Sequence, residues 1–150
     1  MALRCESTVV VAVPPAEVFP WLLDADRVAR WQSGVQRYER ADAGPLRVGS
    51  RLHEDLLVSG YSLNLELEVE RLEPPHRADL RFEGSGFRAV NEYSVAPAPG
   101  GARVTWAIGG DATSFKARLI VPMVQSKLQE KLDGDMARLR DLVAGTPAAA

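Results

Sequence analysis

The sequence is poor in the residues that most often bind metals or perform covalent catalysis. Its 150 residues include one cysteine, Cys5, and two histidines, His53 and His76. A single cysteine excludes an internal disulfide and suits a reducing compartment. Glu54 and Asp55 follow His53 directly, but neighbouring residues of a strand point to opposite faces and so make a poor metal site. We therefore predict no bound metal and no cofactor.

The chain also lacks blocks of one charge and long apolar runs. Its 18 Lys and Arg residues and 20 Asp and Glu residues give a net charge of -2, without the basic stripe that a nucleic-acid partner requires. Its apolar runs, such as residues 119–124, are short, whereas a bilayer span needs roughly 20 residues. No signal-peptide pattern precedes the first predicted strand. These features predict a cytoplasmic protein without a transmembrane segment, and they leave transient contact with a membrane surface open.

The first third of the chain predicts one strand and two short helices. A Val- and Thr-rich strand over residues 3–13 ends at two prolines, of which Pro15 suits the first turn of a helix. Asp24 or Asp26 can cap a second short helix, which ends near Gly34.

From residue 35 to residue 110 the apolar residues recur with a period of two, which is typical of strands with one dry face. The clearest alternation covers residues 61–70. Short segments rich in glycine and proline separate the runs, so we expect consecutive antiparallel hairpins. The predicted strands cover residues 35–40, 48–58, 61–70, 77–83, 88–95 and 102–110.

A single long amphipathic helix is predicted over residues 115–143, followed by a flexible tail at residues 145–150. The order of elements predicts one α+β domain over residues 1–144. In it, a strongly curved antiparallel sheet of about seven strands wraps around the C-terminal helix, with the two short helices after the first strand. Such a sheet encloses apolar volume, which indicates a cavity.

Strand parity predicts which side chains face that cavity. Glu54 shares its face with apolar Leu52 and Leu56, so we expect a carboxyl group whose pKa is raised by desolvation, unless a bulge shifts the register or Glu54 lies at the wet rim. We expect Trp31 either to close the mouth of the cavity or simply to pack in the core. The predicted ligand-binding residues are Trp31, Glu54, Tyr61, Leu63, Leu65, Asn91, Tyr93 and Trp106, together with Phe115, Leu119 and Met123 from the helix. Glu54 and Tyr93 are also the candidates for a catalytic acid or base.

Four segments and the final helix resemble a known family. They are VPPAEVFPWLLDADRVARWQSGV at residues 13–35, VGSRL at 48–52, LEVERLEPPHRADLRFEG at 67–84 and EYSVAPAPGGARVTW at 92–106. The chain resembles the START-like, or Bet v 1-like (SRPBCC), superfamily, and within it the polyketide cyclase/dehydrase and lipid transport proteins. The resemblance implies a helix-grip fold with a ligand cavity between the sheet and the C-terminal helix.

Three functions remain open from the sequence. The leading hypothesis is a noncatalytic protein that binds or carries a hydrophobic small molecule, such as a lipid, a quinone or a polyketide-like compound. The second is a polyketide aromatase/cyclase or dehydratase in which Glu54 or Tyr93 moves protons. The third is a protein-interaction module without a ligand, which a filled interior would favour. The chain is expected to be a monomer or a homodimer.

Overall fold

The computed structural model describes residues 2–145, so most of the predicted tail lies outside the described residues. The elements follow the predicted order, with one long helix at the end. The strands are β1 (Ala2–Val11), β2 (Val35–Arg40), β3 (Arg51–Val58), β4 (Tyr61–Glu73), β5 (Arg77–Gly84), β6 (Phe87–Ala98) and β7 (Gly101–Ala112). The helices are α1 (Pro15–Leu23), α2 (Ala25–Trp31) and α3 (Phe115–Ala144).

The seven strands form one antiparallel sheet in the order β1-β7-β6-β5-β4-β3-β2. Strands β2 to β7 are therefore consecutive hairpins, and β1 joins the far edge beside β7. This arrangement around α3 confirms the predicted α+β helix-grip fold. Several strand boundaries differ from the predicted ones by one to three residues, and β3 begins at Arg51 and not at Val48. Val48 is exposed and Gly49 has a φ of 93°, so the chain turns there before the strand starts.

The two short helices meet at Asp24. The side chain of Asp24 accepts a hydrogen bond from the Asp26 backbone N–H at 3.1 Å, so Asp24, of the two candidates, caps α2. Pro15 occupies the start of α1, where a missing N–H costs nothing. Helix α1 buries Val18 and Leu22, which attach the pair of helices to the core.

Helix α3 packs mainly over β1 and covers the exposed edge of that strand. The Gln125 side-chain oxygen accepts a hydrogen bond from the Arg4 N–H at 3.0 Å. Gln129 accepts one from the Glu6 N–H at 3.1 Å and donates one to the Glu6 carbonyl at 2.8 Å. Two helix side chains thus satisfy backbone groups that an edge strand would otherwise leave unpaired.

The hairpin between β5 and β6 touches the first turn of α3 at Gly86. A Cβ atom at this glycine would lie 2.8 Å from the Cβ of Ala117 and 2.8 Å from the Oγ of Ser114. The φ of Gly86 is +86°, a backbone conformation that residues with a Cβ atom rarely adopt. Glycine therefore lets the hairpin and the helix approach each other closely.

Candidate ligand-binding cavity

A cavity of about 620 Å³ lies between the concave face of the sheet and α3. It exists because α3 rests mainly on β1 at one side of the sheet and makes few contacts with the strands of the other side. Apolar side chains form most of its wall, among them Leu56, Leu65, Leu67, Leu80, Phe82 and Ile108 from the sheet and Ile120 and Val124 from the helix. A ligand with a largely apolar body matches such a wall.

The structure brings most of the residues predicted for this site to the cavity wall. Those that line it are Glu54, Tyr61, Leu63, Leu65, Asn91, Tyr93, Trp106 and Met123. The strand residues among them lie on the face that alternation predicts.

Trp31 packs in the core, which is one of its two predicted positions, and does not line the cavity, in contrast to its predicted place among the ligand-binding residues. Its side chain is fully buried, and its Nε1–H donates a hydrogen bond to the Trp21 carbonyl at 2.8 Å. The ring meets Trp106 edge to face, with centroids 5.5 Å apart. Trp31 therefore supports a cavity residue from behind, because α2 turns its apolar face into the core and not across the opening.

Phe115 and Leu119 also lie outside the cavity. Their side chains are 75% and 67% exposed, so the prediction that they form its wall is wrong. Helix α3 is rotated about its axis so that Lys116 and Ile120 face the cavity instead. Met123 lies at the border between the two faces, lining the cavity while 36% exposed.

The deep end of the cavity contains a buried carboxyl group. Glu54 is only 6% exposed and makes no hydrogen bond with any residue between 2 and 145. Burial raises the pKa of Glu54 to about 7, against the opposing effect of the positive charge on Lys131. A carboxyl group in this setting changes its charge near neutral pH and can donate or accept a proton.

Two phenols share this end with Glu54. Tyr38 on β2 stands directly opposite Glu54 in the ladder between β2 and β3, and Tyr93 projects from β6. The Tyr93 hydroxyl accepts a hydrogen bond from Gln32 at 3.3 Å, which leaves its own proton free to be donated. Burial raises the pKa of both Tyr38 and Tyr93, so both phenols are neutral at physiological pH.

Sequence reasoning missed Tyr38, Gln32 and Lys131. Strand β2 is short and only half buried, so its alternation did not say which face is dry. The pairing of Tyr38 with Glu54 would have identified Tyr38 as a cavity residue. This pairing depends on the register between the two strands, which the alternation within each strand does not reveal.

Lys131 supplies a buried positive charge beside the deep end. Its ammonium group pairs with Asp135 and donates a hydrogen bond to the Ser33 carbonyl at 2.7 Å. Asp135 in turn accepts a hydrogen bond from the Ser33 N–H at 2.9 Å. This pair holds the segment after α2 against α3, and the lysine charge counteracts the desolvation of Glu54.

An aromatic and amide network forms the adjoining wall. The Trp106 Nε1–H donates to the Asn91 side-chain oxygen at 3.0 Å, so this acceptor of Asn91 is occupied within the protein. Tyr93 stacks on Trp106 with ring centroids 5.7 Å apart. These contacts hold Tyr93 in one orientation, which gives the deep end a defined geometry.

At the mouth of the cavity, the hairpin between β3 and β4 contacts the helix. The Tyr61 hydroxyl donates to the Met123 sulfur at 3.7 Å, and both side chains are partly exposed. A weak contact between side chains thus spans the entrance.

His53 faces away from the cavity, as strand parity predicts. Its imidazole lies between Glu66 at 2.5 Å and Asp55 at 2.8 Å on the outer face of the sheet. The hydrogen bonds to Glu66 and Asp55 raise the pKa of His53. Over residues 2–145, no three His, Cys, Asp or Glu side chains are grouped in a way that could hold a metal ion. Within the same residues, no helix combines the length and the apolar character needed to cross a bilayer.

The fold and the cavity agree with a match between nearly the whole chain and the sequence profile of one protein family. Residues 2–144 match the sequence profile of the family described as polyketide cyclase / dehydrase and lipid transport. The chain belongs to this family. The fold of this family, which includes polyketide cyclases/dehydrases and lipid transport proteins, is one that binds hydrophobic ligands. No curated protein matches the chain.

Solved structures of similar fold include the Zhui aromatase/cyclase from Streptomyces sp. R1128, with a TM-score of 0.79 and 14% identity over 95% of this chain and 94% of that one. Protein TTHA0849 from Thermus thermophilus has a TM-score of 0.73 and 21% identity over 97% and 100%. Ara h 8.0201 has a TM-score of 0.69 and 14% identity over 97% and 100%. At these identities the likeness establishes the fold alone.

Proposed function

We propose that this member of the family binds a mainly apolar small molecule, such as a lipid, a quinone or a polyketide-like compound, with an oxygen-bearing end of the ligand against Glu54 and Tyr93. The observation that carries the proposal is the carboxyl group of Glu54, which is buried without a hydrogen-bond partner in the described chain. A buried polar group without a partner is costly, and a ligand oxygen would supply one.

The volume and wall of the cavity support the same class of ligand. About 620 Å³ falls within the range of small-molecule sites, and Glu54, Tyr38 and Tyr93 form a polar group within a mostly apolar wall. Neutral Tyr38 and Tyr93 can donate to a carbonyl or phenol oxygen, and protonated Glu54 can do the same. The interaction-module hypothesis expects a filled interior, and the cavity counts against it.

The test is a titration with an environment-sensitive apolar probe, followed by displacement with fatty acids, quinones and polycyclic phenols. Tyr93→Phe removes the hydroxyl at the deep end, and Tyr61→Phe is its matched control at the mouth. We expect saturable probe binding, and weaker binding of oxygenated competitors to Tyr93→Phe by roughly fivefold to tenfold, the loss of one buried hydrogen bond. A folded protein that binds no probe, or equal losses in both variants, would contradict the proposal.

A second candidate function is that of an aromatase/cyclase or dehydratase. The observation that favours it is Glu54, whose pKa of about 7 suits a group that moves protons at neutral pH. The variant Glu54→Gln is expected to retain ligand binding and to lose product formation from a poly-ketone substrate. Unchanged turnover would exclude Glu54 as the catalytic group. A cytoplasmic location and a monomeric or homodimeric state remain predictions from the sequence.

A further inference from the structure

The first half of α3 carries a row of large apolar side chains on its outer surface. Phe115, Leu119 and Met123 follow one another at intervals of four residues and are 75%, 67% and 36% exposed. This spacing places them in one row along the helix, which we call the exposed row. Single exposed apolar residues are ordinary, but a continuous row of large ones marks an interaction surface.

The charged residues of the helix segment that carries the exposed row are all positive. Residues 115–129 include Lys116, Arg118 and Lys127 and no Asp or Glu, although the whole chain has a net charge of -2. Neither Lys116 nor Arg118 forms an ion pair with any residue between 2 and 145. Lys127 pairs with Glu130 at 3.6 Å, just beyond this segment. Lys116 and Arg118 therefore present two positive charges without an ion pair in the described chain, one on either side of an apolar strip.

We propose that the exposed row docks on the surface of a bilayer that contains anionic lipids. A helix that inserts apolar side chains into the headgroup region while flanking basic residues meet anionic lipids has this combination of features. Phe115 and Leu119 enter the interface, and Lys116 and Arg118 contact the phosphates. The helix lies parallel to the membrane and does not cross it.

A second copy of the chain fits this surface less well. Two copies packed symmetrically through the row would bring Lys116 and Arg118 of each copy close to those of the other, and no acidic residue of the segment would compensate them. An anionic membrane complements the same charges.

The exposed row borders the cavity mouth. Lys116, Ile120 and Met123 line the cavity on the side of the helix next to the row. Docking therefore brings the opening against the bilayer, where an apolar ligand can enter or leave with little contact with bulk water. Docking itself does not require that the cavity be occupied.

The test is sedimentation of the full chain with vesicles. One set contains phosphatidylcholine alone, and the other contains equal parts of phosphatidylcholine and phosphatidylglycerol. The double variant Phe115→Ser with Leu119→Ser removes the apolar contact. Val10→Ser with Val48→Ser, two exposed apolar residues elsewhere on the surface, is the matched control. Lys116→Gln with Arg118→Gln removes the charges, and Arg88→Gln with Arg103→Gln removes two exposed charges of the sheet.

We expect the wild-type chain to sediment with the anionic vesicles. The Phe115/Leu119 variant is expected to bind at least about tenfold more weakly, since two large side chains lose their burial. The Lys116/Arg118 variant is expected to lose about fivefold for each charge. Both control variants bind as wild type does. Probe binding in solution is measured in parallel and is expected to be unchanged in the Phe115/Leu119 variant, because neither residue lines the cavity.

Three outcomes would overturn the proposal. The first is a wild-type chain that binds probe but no vesicles. The second is vesicle binding that falls equally in the Phe115/Leu119 variant and its control. The third is a concentration-dependent dimer in analytical ultracentrifugation that the Phe115/Leu119 variant abolishes, which would assign the row to a second copy of the chain. Loss of probe binding alone would contradict the proposed function and not membrane docking.

Discussion

The two halves of α3 serve different purposes although both are amphipathic. In the half from residue 127 to residue 144, every large apolar side chain except Leu142 is buried, namely Leu128, Leu132, Met136, Leu139 and Val143. In the half from residue 115 to residue 126, only Ala117 and Val121 are buried. The remaining apolar residues of that half line the cavity or face solvent.

This contrast separates stability from binding along one helix. The second half buries apolar area against β1 and the rest of the core, which stabilises the fold. Tight packing of the first half would have filled the cavity. Its few buried contacts leave the cavity open and leave the exposed row free.

The largest expected effect comes from truncating one leucine in each half. Leu132→Ala removes a fully buried side chain, and we expect it to lower the free energy of unfolding by about 2–5 kcal/mol. Leu119→Ala removes an exposed one and is expected to change it by less than about 0.5 kcal/mol. Urea unfolding of both variants measures the difference.

The two leucine variants also test whether the two halves of α3 differ in packing. Both change the same residue type in the same helix, so helix propensity contributes equally to each. Similar losses would mean that the first half is packed in solution, which would remove the distinction between the halves.

A second prediction concerns the deep end, where Lys131 of the packed half faces Glu54. The pKa of Glu54 is raised from 4.5 to about 7 by burial, so the folded chain holds this proton more tightly than the unfolded chain does. The protonated carboxyl group makes its whole contribution to the free energy of unfolding of the wild type below pH 4.5. This contribution, up to about 3 kcal/mol, is lost as the pH rises through 7. Glu54→Gln cannot lose a proton and is therefore expected to gain stability relative to wild type between pH 5 and pH 8.5.

The measurement is the difference in Tm between Glu54→Gln and wild type, determined once at about pH 5 and once at about pH 8.5. Because both proteins share all other titrating groups, the change in that difference reports on Glu54. A constant difference would show that water reaches the carboxyl group freely, and the deep end would then be as open as the mouth.

The sheet and the dry face of strands β3 to β7 were predictable, because alternation in a sheet is imposed by backbone geometry. Once Leu52 and Leu56 belong to the dry face, Glu54 must share it, and the structure buries all three. The register between strands was not predictable. Tyr38 reached the deep end only through its pairing with Glu54, which is set by long-range contacts.

The exposed side of α3 could not be predicted for a related reason. Apolar residues at intervals of three and four define a helical face, but they do not say how the helix is rotated against the sheet. Phe115 and Leu119 have the same spacing whether they line a cavity or face solvent. The packing of the second half on β1 fixes the rotation of the whole helix. It thereby determines which side chains of the first half face the cavity and which face solvent.

The smallest expected effect tests how the first half of α3 is held at its start. Gly86→Ala places a Cβ 2.8 Å from the Cβ of Ala117, whereas Gly100→Ala meets no atom within 4 Å. Both glycines have a positive φ, at +86° and +80°, so both variants incur the same backbone strain. The extra loss in Gly86→Ala, about 1–3 kcal/mol, then reports on the contact with the helix alone. Equal unfolding free energies for the two variants would mean that the hairpin does not hold the helix, and the first half of α3 would then depend on the packed half for its position.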